Sequence, residues 1–85
     1  MVTIKLFTMP NCSHCISLKA KLDNENIDYD DYDIDKPEVR KYVNKFHLTA
    51  YPTIIIVKNN KIIHAQAGFN EKLDTKEWLK SFEEV

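Results

Sequence analysis

Glycine is almost missing from this chain: Gly68 is the one glycine in 85 residues, and only three prolines accompany it. No Gly/Ser-rich or Pro-rich linker divides the sequence and no internal repeat is visible, so residues 1–85 are expected to form a single domain. A chain of this size buries only about 60–65% of the surface that its unfolded form exposes, which leaves room for one core and excludes a second catalytic or regulatory domain. Long hydrophobic runs are also lacking, and nothing approaches the roughly 18 apolar residues of a membrane span. With 44% hydrophobic and 29% charged residues, the composition excludes disorder. Neither charge dominates: 12 Lys and Arg stand against 13 Asp and Glu, without the clustered cations that binding to a nucleic-acid backbone requires. Neither nucleic acid nor a membrane is therefore an expected partner. The opening residues Met1-Val2-Thr3-Ile4-Lys5-Leu6-Phe7 alternate like a strand and lack the basic region and cleavage site of a secretory signal, so a cytoplasmic location is expected.

Cysteine is scarce too, with only Cys12 and Cys15. A reducing compartment keeps a merely structural pair open, so two cysteines at this spacing call for a redox or a metal explanation. A structural zinc site takes four protein ligands, and this sequence could supply them only if His47 or His64 folded onto the pair by coincidence. No metal is expected. His47 and His64 have no partner at motif spacing and read as surface or strand residues without a functional role.

Residues Val2 to Thr8 read as a strand by alternation and β-propensity, and Met9-Pro10-Asn11 interrupts it. A helix is expected from Cys12, with Asn11 as its N-cap. Cys15, Ile16, Leu18 and Leu22 form its apolar positions, and Asp23-Asn24-Glu25-Asn26 ends it. Ile27 to Ile34 reads as a short strand of high acidic density, whose aspartates form a solvated face. Asp35-Lys36-Pro37-Glu38 reads as a helix entrance with Asp35 as N-cap and Glu38 in the capping-box position, followed by the stripe Val39, Tyr42, Val43, Phe46. Thr53 to Lys58 and Lys61 to Ala67 form a hairpin across Asn59-Asn60, asparagine being the non-glycine residue most tolerant of positive φ. The unbroken run Ile54 to Val57 predicts a strand buried on both faces. Gly68 ends the hairpin. A last helix starts near Thr75, capped by Asp74 and Glu77, with Trp78, Leu79, Phe82 and Val85 on one face. The fold class is therefore α/β, a mixed four-stranded sheet flanked by three helices in the order β-α-β-α-β-β-α.

A thiol attacks a disulfide only as thiolate, and a free cysteine with a pKa of about 8.5 is mostly protonated at neutral pH. At the start of a helix, unpaired backbone N–H groups and the positive end of the helix dipole favour the anion at Cys12. Cys15, one turn further in and among apolar neighbours, is close enough to share a disulfide yet less reactive. Cys12 is thus expected to be the nucleophile and Cys15 the resolving thiol, with His14 and Asn11 tuning the thiolate.

The segment Met9-Pro10-Asn11-Cys12-Ser13-His14-Cys15, the segment Ala50-Tyr51-Pro52-Thr53 and the hairpin from Lys58-Asn59-Asn60-Lys61 to Gly68 together resemble the thioredoxin superfamily along essentially the whole chain. The resemblance implies a thioredoxin-like fold with Pro52 in cis facing the cysteines, and a substrate groove formed by Ser13, Tyr51, Pro52 and Gly68, in which the Tyr51 backbone pairs with an extended substrate segment. The short length resembles glutaredoxin. The Tyr51-Pro52-Thr53 loop and the hairpin look more like thioredoxin, and Pro-Tyr between the cysteines, Thr-Val before Pro52 and a double glycine at Gly68 are absent. The implied function is dithiol–disulfide exchange with protein disulfides by a monomer with no bound cofactor beyond its own redox-active disulfide. Electrons would come from thioredoxin reductase and NADPH, or from glutathione. Ribonucleotide reductase enters as a partner through the family alone. Two alternatives stand beside this reading: a glutathione-dependent glutaredoxin, and a non-enzymatic binding module or metal carrier on the same fold.

Overall fold

A computed structural model describes residues 2–70 and 72–84; the expected apolar position Val85 lies outside them. The elements are β1 (Val2–Thr8), α1 (Ser13–Asn24), β2 (Asp30–Asp33), α2 (Pro37–Phe46), β3 (Thr53–Lys58), β4 (Lys61–Ala67) and α3 (Thr75–Glu83), in the expected order. They build one four-stranded sheet in the order β2-β1-β3-β4. The pair β1 and β2 is parallel, while β3 runs antiparallel to both β1 and β4. Among the described residues no helix is long and apolar enough to cross a membrane.

Alternation along the two central strands separates the core into two layers. Ile4, Leu6, Ile54 and Ile56 face one way and pack with Leu18 and Leu22 of α1 and with Trp78, Leu79 and Phe82 of α3. Phe7 and Ile55 face the other way and meet Val39, Tyr42 and Phe46 of α2. Helices thus cover both faces, which is why Ile54, Ile55 and Ile56 are all buried, as their unbroken run predicts.

Asn59 and Asn60 carry φ of 53° and 63°, the two positive values of the tight turn expected in a hairpin of this twist. The ladder beyond them is not regular: Ile56 pairs with His64 but Val57 with Ile62, so Ile63 is an extra residue in β4. This bulge lets consecutive residues, Ile63 and His64, both face the α1 and α3 layer. His64 is a strand residue, as expected, and is half-buried between Trp78 and Phe82, at ring distances of 6.1 and 5.0 Å.

Two expectations about local structure are corrected. The cap of α2 is Lys36, with no side-chain bond, and not Asp35. A residue preceding proline is pushed into the extended region, so Lys36 at ψ 129° must stand outside the helix and Pro37 must begin it. The carboxylate of Asp33 meanwhile accepts the Asp35 N–H at 2.9 Å and turns the chain toward α2. Ile16 is 63% exposed and not part of the buried face of α1, which consists of Cys15, Leu18 and Leu22. At about 100° per residue it lies about 200° around the helix from Leu18, on the opposite side.

The expected cap of α3 is present, Asp74 Oδ1 accepting from the Glu77 N–H at 3.2 Å. At the other end of α3, Lys58 Nζ donates to the Phe82 and Glu83 carbonyls at 3.2 and 2.8 Å. The Glu83 carboxylate accepts the Val2 N–H at 2.7 Å, a bond that, with Lys58 nearby, holds its pKa below the usual carboxylate range. The acidic β2 is also less free than expected, since Asp30 pairs with Lys5 while Asp31 meets Lys19 and the Thr8 hydroxyl.

Leu6 is fully buried at the centre of the larger layer. Leu6→Ala is expected to cost about 2–5 kcal/mol in urea unfolding, and Ile16→Ala to stay within about 0.5 kcal/mol of the parent.

Candidate active site

The chain leaves β1 and reverses through Asn11, whose φ of 59° is left-handed. Asparagine tolerates this conformation because its short polar side chain offsets part of the steric cost. The turn moves the helix boundary one residue on from the expected position: the N-cap of α1 is Cys12, at φ −94° and ψ 107°, and Asn11 precedes the cap. Cys12 Sγ then occupies the place that a serine or aspartate oxygen fills in an ordinary cap, accepting the Cys15 N–H at 3.2 Å. The Cys12 carbonyl accepts the Ile16 N–H at 3.1 Å and starts the helical ladder.

Cys12 and Cys15 form a disulfide with Cα atoms 5.2 Å apart, inside the range such a bond spans. Their surroundings differ. Cys15 is 1% exposed and belongs to the buried face of α1, whereas Cys12 is half-buried and faces out between exposed neighbours, Asn11 and Ser13. A partner sulfur can reach Cys12 and not Cys15.

The loop before β3 meets this turn from the other side. The Tyr51–Pro52 peptide is cis, Pro52 is buried, and the Tyr51 carbonyl oxygen stands 4.0 Å from Cys12 Sγ. In a thiol state that oxygen can accept the S–H. The loop is fixed at both ends, by the Thr53 hydroxyl donating to the Ala50 carbonyl at 2.6 Å and by the Gly68 N–H donating to the Pro52 carbonyl at 2.7 Å. Gly68 holds φ +79°, which only glycine adopts without strain.

A cavity of about 220 Å³ opens beside the disulfide, lined by His14, Leu18, Tyr51, Pro52, Gly68 and Phe69. The structure therefore brings His14, Tyr51, Pro52 and Gly68 together around this cavity, with Tyr51 also reaching Cys12; Ser13 is exposed, and neither it nor either cysteine lines the cavity. Leu18 and Phe69 are lining residues that sequence reasoning did not single out. The position of Phe69 directly after the glycine was the available signal. His47 ends α2 in a left-handed conformation, and His64 belongs to the aromatic layer under α3. Among the described residues no three His, Cys, Asp or Glu side chains converge as metal ligands.

Comparison with known proteins places this geometry. The glutaredoxin family model matches residues 4–63, the segment that runs from β1 through the cysteines and the cis-proline loop into β4. The chain belongs to the glutaredoxin family. No curated protein sequence matches it significantly. Among solved structures it is similar to thioredoxin from Trypanosoma brucei brucei, with a TM-score of 0.77 at 19% identity over 100% of this chain and 77% of the other. Thioredoxin-2 of the malaria parasite, described as a component of its protein secretion machinery, gives 0.73 at 23% identity over 95% and 82%. A malarial protein gives 0.75 at 24% identity over 95% and 96%. These likenesses establish the thioredoxin fold for this glutaredoxin-family chain, whose Cys12–Cys15 pair is of the thiol–disulfide oxidoreductase type.

Because φ of 59° is costly for a branched side chain, Asn11→Val is expected to lose about 1–2 kcal/mol and Asn11→Gly to keep nearly full stability, as read by thermal unfolding monitored by circular dichroism.

Proposed function

We propose that the protein is a dithiol–disulfide oxidoreductase that reduces protein disulfides, with Cys12 as nucleophile and Cys15 as resolving thiol. The observation that carries this reading is the cap itself: the one sulfur of the pair within reach of solvent is also the one that accepts a backbone N–H. A hydrogen bond to the charged form favours that form, and the N-terminal end of α1 adds a favourable field. His14, exposed in the first turn of α1, lies where a donor or cation would further favour a thiolate on Cys12.

The cycle starts from the reduced pair. Cys12 thiolate attacks one sulfur of a substrate disulfide, the substrate S–S bond breaks, and the departing thiolate takes a proton from water. Cys15 then loses its proton and attacks Cys12 Sγ, the mixed disulfide breaks, and the second substrate thiolate leaves. Two electrons have passed to the substrate and Cys12–Cys15 is oxidised. The dithiol is restored by two electrons from thioredoxin reductase and NADPH, or from two glutathione thiols oxidised to glutathione disulfide.

Glutathione carries two carboxylates, and the residues lining the cavity include no lysine or arginine to meet them. Their apolar surface and the Tyr51 backbone suit a polypeptide substrate better, which favours thioredoxin-like activity on this small scaffold. Such work is expected in the cytoplasm, in a monomer.

Cys15→Ser is expected to accumulate mixed disulfides with protein substrates on non-reducing gels, and Cys12→Ser to accumulate none and lose turnover. Trapping by Cys12→Ser alone reverses the assigned roles. In coupled assays that follow NADPH, thioredoxin reductase is expected to reduce the oxidised protein faster than glutathione with glutathione reductase; the opposite order favours the glutathione-dependent reading.

A further inference from the structure

Resting on the reading that the cavity beside Cys12 receives polypeptide disulfides, we infer that His64 and Gln66 are positioning residues that set the wall of this cavity through the Gly68 backbone. In β4 the two residues pair with Ile56 and Ile54, so their side chains emerge on the face covered by α1 and α3 and stand next to each other. His64 Nε2 lies 2.7 Å from Gln66 Oε1, and Gln66 Nε2 donates to the Gly68 carbonyl at 3.1 Å. An amide oxygen only accepts, so His64 Nε2 carries a proton and fixes which end of the Gln66 amide faces Gly68. Gly68 in turn gives its own N–H to the Pro52 carbonyl at 2.7 Å. A continuous chain of hydrogen bonds thus runs from the aromatic layer under α3 to the cis-proline loop.

The aromatic layer holds the far end of that chain. The His64 ring lies against Phe82 and Trp78, and Trp78 also meets Phe69 edge-on at 5.8 Å. Phe69 and Gly68 are both cavity-lining residues. Two links therefore act on one wall: the Gln66 amide holds the Gly68 carbonyl, and Trp78 backs the Phe69 ring. Neither His64 nor Gln66 lines the cavity, so they act on how a substrate segment seats and not on sulfur chemistry.

Gln66→Glu separates the links: a carboxylate still accepts from His64 but has no N–H for the Gly68 carbonyl. His64→Phe keeps an aromatic ring against α3 and releases the amide. With insulin as the disulfide substrate and excess dithiothreitol as reductant, each variant is expected to raise KM about 2- to 10-fold, the effect of one ordinary hydrogen bond. The kcat and the Cys12–Cys15 reduction potential are expected to match those of the parent. The double variant is expected to be no worse than the weaker single one, because both changes break one chain. Parent-like KM in both variants, or effects that multiply in the double variant, overturns the inference while leaving the oxidoreductase reading intact. Absence of insulin reduction by the parent overturns that reading and the inference together.

Discussion

The contact on which the site depends is the Cys15 N–H donated to Cys12 Sγ at 3.2 Å. The first N–H groups of any helix lack partners inside it, and an N-cap side chain satisfies one of them. Here a sulfur atom does so, and one bond serves two ends. It terminates α1 and surrounds the outer sulfur with a donor that prefers negative charge. The second cysteine supplies that donor from its own backbone, so its side chain, three residues on, must lie one turn into the helix and against the core. The roles proposed for the two cysteines, Cys12 attacking and Cys15 resolving, rest on this capping geometry.

The remaining structure holds this cap against the cis-proline loop. β1 and β3 are adjacent antiparallel strands, so the residue leaving β1 and the residue entering β3 lie at the same end of the sheet. Phe7 pairs with Thr53, which puts Met9 to Cys12 and Tyr51-Pro52 side by side before any side chain is considered. Burial of Ile4, Leu6, Ile54 and Ile56 under α1 and α3 fixes that register, because a slip of one residue would turn the slipped strand's pair of these side chains to the opposite face. Gly68 then closes the third side from β4. Sequence pattern, sheet register and site geometry are thus successive consequences of the same alternation.

Much of this was legible in the residues. The isoleucine run announced a central strand, the Asn59-Asn60 pair announced its turn, and the strand, proline and paired cysteines announced the site. What escaped notice depended on one residue's conformation or on distant partners. Asn11 looked like a cap because it is a strong capping residue, but a left-handed φ there shifted the boundary to Cys12. Asp35 looked like a cap for the same reason, and the restriction before Pro37 overrode it. The β4 bulge leaves no mark on a pattern of alternating residues, so the packing of a half-buried His64 against α3 was visible only after β3 and β4 were paired. Ile16 was assigned to the helix stripe by hydrophobicity, although its angular position excluded it.

The most direct test is a titration of the reduced protein that follows thiolate absorbance in the ultraviolet, carried out on the parent and on Cys15→Ser. If the capping N–H stabilises the anion, Cys12 ionises below the value of about 8.5 of an unstructured cysteine, and does so in Cys15→Ser as well, because the donor is backbone. Ionisation of Cys12 at or above that value in both proteins would contradict the account.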